Sequence, residues 1–243
     1  MAYNTERRIL ITNDDGIDSG GIARLAKAAK DFGEVWVVAP QHQRSAASHC
    51  ITLREPIDVY PHDFAVEGVH AYSCSGTPAD CVRVGGLSVM PVRPDVVLSG
   101  INFGYNVATD IQYSATAGAA FEAVFQGYAA IALSEHMNGC HEVTDAYIKD
   151  ILDEYIDVRL GFGQIINVNF PGCKLSEFKG ILKDRRTSHD SLFHDHYNVI
   201  EKLQGGGLRY MIEGVHNEKS EEGTDFRAVF ENHISIGVVN NVG

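Results

Sequence analysis

Apolar residues along the chain follow two rhythms. Short continuous runs rich in β-branched residues recur at 8–12 (RILIT), 34–39 (EVWVVA), 95–101 (DVVLSGI) and 130–134 (AIALS). Their length and composition predict strands buried on both faces. Between the first two runs, Ile22, Leu25, Ala26, Ala29 and Phe32 return at helical spacing. Strand, helix and strand in quick succession predict a right-handed βαβ unit with parallel strands. Further on, Thr77-Pro78-Ala79-Asp80 combines an N-cap hydroxyl, a first-turn proline and an acidic third position, so it predicts a helix start. Residues 116–128 (TAGAAFEAVFQGY) predict a helix whose small residues let it pack closely on a neighbour. Asp145 to Val158 is amphipathic and helical, and the run QIINVNF is strand-like until Pro171 stops it. The alternation predicts an α/β fold, a Rossmann-like, doubly wound and mostly parallel sheet, over about residues 8–171.

Past residue 172 the helical rhythm fades. Residues 189–197 (HDSLFHDHY) and 204–207 (QGGG) read as loops, and 208–213 and 226–238 as strands with no helix between them. This predicts an α/β catalytic core over 1–175 and a β-rich C-terminal arm over 176–243 packed on the same domain. Strands without helices to cover them need a partner, so a homodimer or homotetramer built through this arm is expected.

Composition narrows the function. The 243 residues are 44% hydrophobic and 21% charged, which suits a globular core rather than a disordered chain. No apolar run exceeds five or six residues, and Met1 to Arg8 is polar, with no signal-peptide apolar region. No membrane association is expected. The five cysteines form no CxxC pair, which argues against structural zinc and for a reducing cytoplasm. A net charge of −12 argues against a stable nucleic-acid partner, because phosphate neutralisation needs Lys and Arg. It leaves room for a small anion, since one bound cation can reverse the field in a cleft.

In open parallel sheets, sites form beyond the carboxyl ends of the strands. Asn13-Asp14-Asp15-Gly16 follows the first strand, Pro40 to Ser45 the second, and Asn102-Phe103-Gly104-Tyr105-Asn106 the 95–101 strand. Together they offer carboxylates, a hydroxyl and amides, the oxygen set that hard cations such as Mg²⁺, Mn²⁺ or Ca²⁺ prefer. The adjacent Asp14 and Asp15 repel one another unless they diverge or share a cation, although Asn-Asp-Asp-Gly is also a good turn sequence. Ser114 and Thr116 open the small-residue helix, either as an anion site or as an ordinary cap. His189, His194 and His196 fit no zinc spacing and read as a solvated loop. His42 and His49 flank the second loop as titratable groups near neutral pH. There is no GxGxxG after the first strand, no P-loop and no GxSxG elbow. The aspartates are adjacent rather than spaced as DxD, so metal-activated water fits better than covalent chemistry.

Taken in order, the blocks 9–22 (ILITNDDGIDSGGI), 37–48 (VVAPQHQRSAAS), 75–82 (SGTPADCV), 93–106 (RPDVVLSGINFGYN), 113–123 (YSATAGAAFEA) and 167–171 (NVNFP) resemble the SurE (survival protein E) nucleotidase family, with a weaker echo at 223–226 (GTDF). The resemblance implies a metal-dependent phosphomonoesterase that hydrolyses nucleoside 5′- and also 3′-monophosphates. It implies a divalent cation, Mg²⁺ or Mn²⁺, on Asp14, Asp15, Ser45 and Asn102. It also implies a pocket containing Asn13, Asn106, Ser114 and Thr116. Arg44, in the loop after the second strand, is a basic candidate for phosphate or surface contact. Asp14 and Asp15 would anchor the ion, and Asn106, Ser114 and Thr116 would hold phosphoryl oxygens. The family usually has glycine where Ala115 stands; a positive φ there would strain alanine. It also typically closes on a serine-isoleucine-threonine-proline run that finds no match here. The alternative class is a nucleotide-binding sensor without turnover.

Overall fold

In the computed structural model, which describes residues 7–217 and 219–242, the elements follow one another as alternating strands and helices. Most of the polar start, and with it the signal-peptide expectation, falls outside the described residues. The first half comprises β1 (Arg8–Thr12), α1 (Gly20–Ala29), β2 (Glu34–Pro40), β3 (Val59–Pro61), β4 (His70–Cys74), α2 (Pro78–Val84) and β5 (Val96–Phe103). Then come α3 (Ala115–Phe125), β6 (Ala129–Glu135), α4 (Glu142–Tyr155), β7 (Gln164–Phe170) and β8 (Ile181–Leu182). The chain ends with β9 (Phe193–Lys202), β10 (Leu208–His216), α5 (Asp225–Phe230) and β11 (Ile234–Asn240).

Nine strands form one sheet in the order β3-β4-β2-β1-β5-β6-β7-β11-β8. The block from β4 to β7 is parallel, and β3 and β11 pair antiparallel with β4 and β7. The chain is therefore an α/β protein with a doubly wound sheet. Alternation along β1 divides the core: Ile9 and Ile11 pack with α1 and α4, while Leu10 packs on the other face with α2 and α3. The predicted capping box is formed, with Asp80 N–H donating to Thr77 Oγ1 (3.1 Å) and Thr77 N–H to Asp80 Oδ2 (3.0 Å). The small residues of α3 are explained by close approach. A Cβ on Gly118 would stand 2.5 Å from the Ser48 carbonyl oxygen.

Two expectations for the C-terminal region are corrected. Residues 193–202 are a strand rather than part of a loop, paired antiparallel with β10. Both strands bury neither face, and β9 mixes charged, polar and apolar residues, so it lacks the continuous apolar signal of the core strands. Residues 225–230 form a helix rather than a strand, because Thr224 Oγ1 accepts from Arg227 N–H and caps it. After α5, β11 returns to the main sheet beside β7. Among the described residues no helix is long and apolar enough to cross a membrane.

One buried polar cluster ties the α2–α3 layer to the loop after β2. Glu122 of α3 accepts from Arg83 of α2 (2.9 Å) and from Gln126 (2.7 Å), and its other oxygen pairs with His49 Nε2 (2.9 Å). Burial pushes the Glu122 carboxyl up, but the donors from His49, Gln126 and Arg83 together hold it below its ordinary value. A depressed carboxyl stabilises the fold above its unfolded pKa, and that stabilisation is lost as pH falls through the folded value. Glu122→Gln should therefore cost about 1–2 kcal/mol in urea unfolding at pH 7. The gap to wild type should narrow as pH falls below the ordinary carboxylate range and close once it passes the lowered folded value, where both side chains are neutral.

Candidate active site

Strands β1 and β5 lie side by side, but the chain reaches β5 only after running outward through β2 to β4. This is a topological switch point, where the loops beyond two neighbouring strands diverge and leave a crevice. Backbone contacts draw the predicted loops together there. Arg44 N–H donates to the Asp14 carbonyl (2.7 Å) and Ile17 N–H to that of Pro40 (2.9 Å). Phe103 N–H, at the end of β5, donates to Asp15 Oδ2 (2.9 Å). The Gln43 amide donates to Ser45 Oγ (3.0 Å) and makes a longer contact to Asp15 Oδ1 (3.4 Å). The result is a cleft of about 560 Å³ whose walls include Asp14, Ser45, Asn102, Asn106 and Ser114. Asp15 and Gln43 lie on a neighbouring cleft of about 360 Å³.

Electrostatics single out the two aspartates. Asp14 is 3% exposed, and burial raises its pKa to about 6. The Thr116 hydroxyl, donating to Asp14 Oδ1 at 2.6 Å, opposes that rise, and the charge of Asp15 adds to it. Asp15 is raised too, first by burial and further by Glu135, against the lowering effect of the Phe103 and Gln43 donors. No cationic side chain is among the groups acting on either one. Two crowded carboxylates beside a hydroxyl and an amide match the chemistry of a hard cation. Among the described residues no group of three His, Cys, Asp or Glu side chains is placed to hold a metal ion, so a site here would draw on the two carboxylates together with neutral oxygens.

The remaining predicted residues have definite partners. Ser114 caps α3 by accepting from Ala117 N–H (3.0 Å), which leaves its own proton free to donate into the cleft. Asn106 donates to Ser134 Oγ (2.7 Å), and its backbone is gripped by Asn167 and Asn169. Asn102 donates to the Gly104 carbonyl (2.8 Å), closing the loop after β5. Three residues expected to touch substrate are engaged elsewhere. Thr116 is fully buried beneath Asp14. Asn13 is buried and holds the turn through Gly16 O (2.9 Å) and Ser19 Oγ (2.7 Å). The Arg44 guanidinium is turned to the Ser75 carbonyl (3.1 Å) and does not line the cleft.

Ala115 is the first residue of α3 and is not in the left-handed region, so alanine is unstrained there. His49 is bound to Glu122 and stacked on Phe125, a packing role. His196 pairs across the hairpin with Glu213. Sequence reading missed Gln43 and the Ser134–Asn167–Asn169 cradle. The strand-end rule applied to β6 and β7 would have reached the cradle.

Comparison with known proteins identifies the family. The family described as "Survival protein SurE" matches residues 9–191. The protein named 5'-nucleotidase SurE of Pelobacter propionicus is 37% identical over 234 residues, covering 94% of this chain and 91% of that protein. The protein named 5'/3'-nucleotidase SurE of Erwinia tasmaniensis is 39% identical, covering 94% and 88%. The crystal structure of SurE protein from Aquifex aeolicus superposes with a TM-score of 0.80 at 32% identity, covering 96% of this chain and 93% of that one.

Thr116→Val keeps the shape of the side chain but strips a buried carboxylate of its hydroxyl donor. It should lower stability in urea at pH 7 by about 1–3 kcal/mol, the usual penalty for an orphaned buried acceptor. A change below about 0.5 kcal/mol would mean that water replaces the hydroxyl.

Proposed function

This chain belongs to the SurE survival-protein family, and from that premise we propose that it hydrolyses nucleoside 5′- and 3′-monophosphates to nucleoside and phosphate with the help of Mg²⁺ or Mn²⁺. The observation that carries the reading is the Asp14–Asp15 pair. It is crowded at the switch point of the sheet, with no ion pair to a described Lys or Arg, beside a cleft with room for a nucleotide. Asp14, Asp15, Ser45 and Asn102 would hold the ion. When bound, such an ion lowers the pKa of water and offsets negative charge on phosphoryl oxygens.

The chain's own side chains supply the rest. Thr116 fixes Asp14 through Oδ1, which would leave the other carboxylate oxygen to hold the ion. The Ser114 hydroxyl and the free N–H groups opening α3 receive phosphoryl oxygens, where the helix dipole favours negative charge. Asn106 lines the same cleft, and its rigid cradle keeps it aligned. Asn13 and Thr116 act as positioning residues, and Arg44 braces the loop that carries Ser45. Cytoplasmic residence fits this activity on small metabolites.

The β9–β10 hairpin supports self-association. Tyr197, Ile200, Tyr210 and Ile212 are each at least 50% exposed, and a two-stranded sheet open on both faces is marginal in water. A second copy of the same hairpin is the economical cover.

Two measurements test the proposal. Phosphate release from AMP should be abolished by a chelator and restored by Mn²⁺ or Mg²⁺. Asp14→Asn should lose most turnover even at saturating ion, because geometry as well as occupancy is altered. A chelator-resistant enzyme or a fully active variant would overturn the ion assignment. Tight AMP binding without release would favour a sensor. In light scattering at micromolar concentration the chain should be a dimer or tetramer, and a monomer would exclude the hairpin interface.

A further inference from the structure

The loops after β6 and β7 run side by side and bring two cysteines together. Three contacts tie the loops in succession. Asn138 Nδ2 donates to the Gly172 carbonyl (2.7 Å), Cys140 Sγ to the Cys173 carbonyl (3.2 Å), and Leu175 N–H to Glu142 Oε2 (3.0 Å). Cys140 therefore stands opposite Cys173, with a fixed contact on either side. Gly172 lets the two segments come this close, since a Cβ there would stand 2.5 Å from His136 Cβ. Both cysteines are free thiols.

The two thiols are unequal. Cys140 is half-buried on its loop, within reach of a small reagent, whereas Cys173 is 7% exposed and packs into the core on the α1–α4 face. Burial, and then the charge of Glu177, pushes the Cys173 thiol up, which makes it the slower nucleophile toward anything in solution. An accessible cysteine poised beside a shielded one is the arrangement of an attacking thiol and its resolving partner. The remaining cysteines lack it: Cys50 is exposed, and Cys74 and Cys81 are both wholly buried.

We propose that Cys140 and Cys173 form a redox-responsive disulfide site, which takes a low-molecular-weight disulfide such as oxidised glutathione as its oxidant and clamps the loop after β6 to the end of β7. The Cys140 thiolate attacks one sulfur of the oxidant and displaces the first glutathione as its thiolate. Cys173, deprotonated in its turn, attacks the Cys140 sulfur and displaces the second. The two protein thiols give up two protons and two electrons, and the oxidant leaves as two glutathione thiols. Rotation about the Cys140 Cα–Cβ bond turns its sulfur from the Cys173 carbonyl to the Cys173 sulfur, so the bridge forms without a backbone rearrangement. The clamped loop also carries His136 and Met137, which line the Asp14 cleft, so the redox state of the surroundings reaches the rim of that cleft. A reducing compartment keeps the pair as thiols, and the clamp closes when the glutathione pool becomes oxidised. The inference is independent of the nucleotidase reading.

The test uses the full chain carrying Cys50→Ser, which removes the exposed thiol and leaves four of the five. The native protein is treated with oxidised glutathione, quenched with an alkylating reagent and mapped by mass spectrometry without reduction. A pair of thiols should be lost, a bridge should join the peptides containing Cys140 and Cys173, and no glutathione should stay attached. Adding Cys173→Ala should leave glutathione trapped on Cys140, and adding Cys140→Ser instead should leave Cys173 a free thiol. The bridge closes a loop of roughly thirty residues, so the thermal midpoint should rise by several degrees and return on treatment with dithiothreitol. Glutathione retained on Cys140 of the parent chain with no bridge would overturn the proposal. So would a full set of unreacted thiols, a bridge between Cys74 and Cys81 in its place, or a thermal midpoint that fails to rise. The parent chain decides the matter even where Cys173→Ala does not fold.

Discussion

Two carboxylates held side by side at the end of β1 set the terms for everything around them. Removing such a group from water is costly unless something answers its charge. Here the answer comes from neutral donors: the Thr116 hydroxyl for Asp14, and the Phe103 N–H and Gln43 amide for Asp15. Neutral donors orient a carboxylate without cancelling it, as an arginine would. On the proposed reading, the negative field that remains is what holds the cation. The requirement spreads outward. Ala46 and Ser48 accept left-handed backbone conformations (φ 58° and 51°), and Ser48 is pinned by Tyr113 O (3.0 Å) and Gln112 O (2.6 Å). That conformation costs an L-residue on the order of 1 kcal/mol and persists where surrounding contacts over-determine it.

The same logic explains motifs distant from the carboxylates. Asn167 and Asn169 at the end of β7 both donate to the Asn106 carbonyl, and Asn169 Oδ1 accepts from Asn106 N–H. The run NVNFP is thus the scaffold of a residue some sixty positions away. Asp225 in GTDF accepts from Ala108 N–H (3.0 Å) and Ser188 N–H (2.9 Å), tying α5 to the turn before α3 and to the strap before the hairpin.

The sheet was legible because parallel strands covered on both faces write continuous apolar runs, as RILIT and EVWVVA do. Thr77-Pro78-Ala79-Asp80 was legible because capping is local chemistry. An oxygen set suited to a hard cation became readable once the ends of three strands were taken together, and phosphate-ester chemistry followed only from the resemblance of the ordered motifs to a family. What sequence could not reveal is contact across the chain. Nothing local in Thr116 says that its hydroxyl meets a carboxylate 102 positions earlier. Strand β9 hid for another reason: with both faces in water its pattern is that of a polar loop, whereas Tyr210-Met211-Ile212 made β10 readable. Helix α5, at six residues, is too short for periodicity to register.

An acidic protein that binds an anion must find attraction somewhere, and the cleft narrows the sources. Arg44 is turned toward Ser75, while Arg24, on the neighbouring cleft, is paired with Glu135 and Asp145. The N–H groups opening α3 carry roughly half a positive charge, less than the two negative charges of the aspartates beside them. Without a cation the phosphate would meet net repulsion from Asp14 and Asp15. On the proposed reading, a divalent ion turns that same pair from an obstacle into an anchor. Ion and phosphate then bind with positive coupling, each raising the affinity of the other by the same factor, as linkage requires. The protein's net charge of −12 thus governs its surface, while one ion governs the few ångströms where the ester is held.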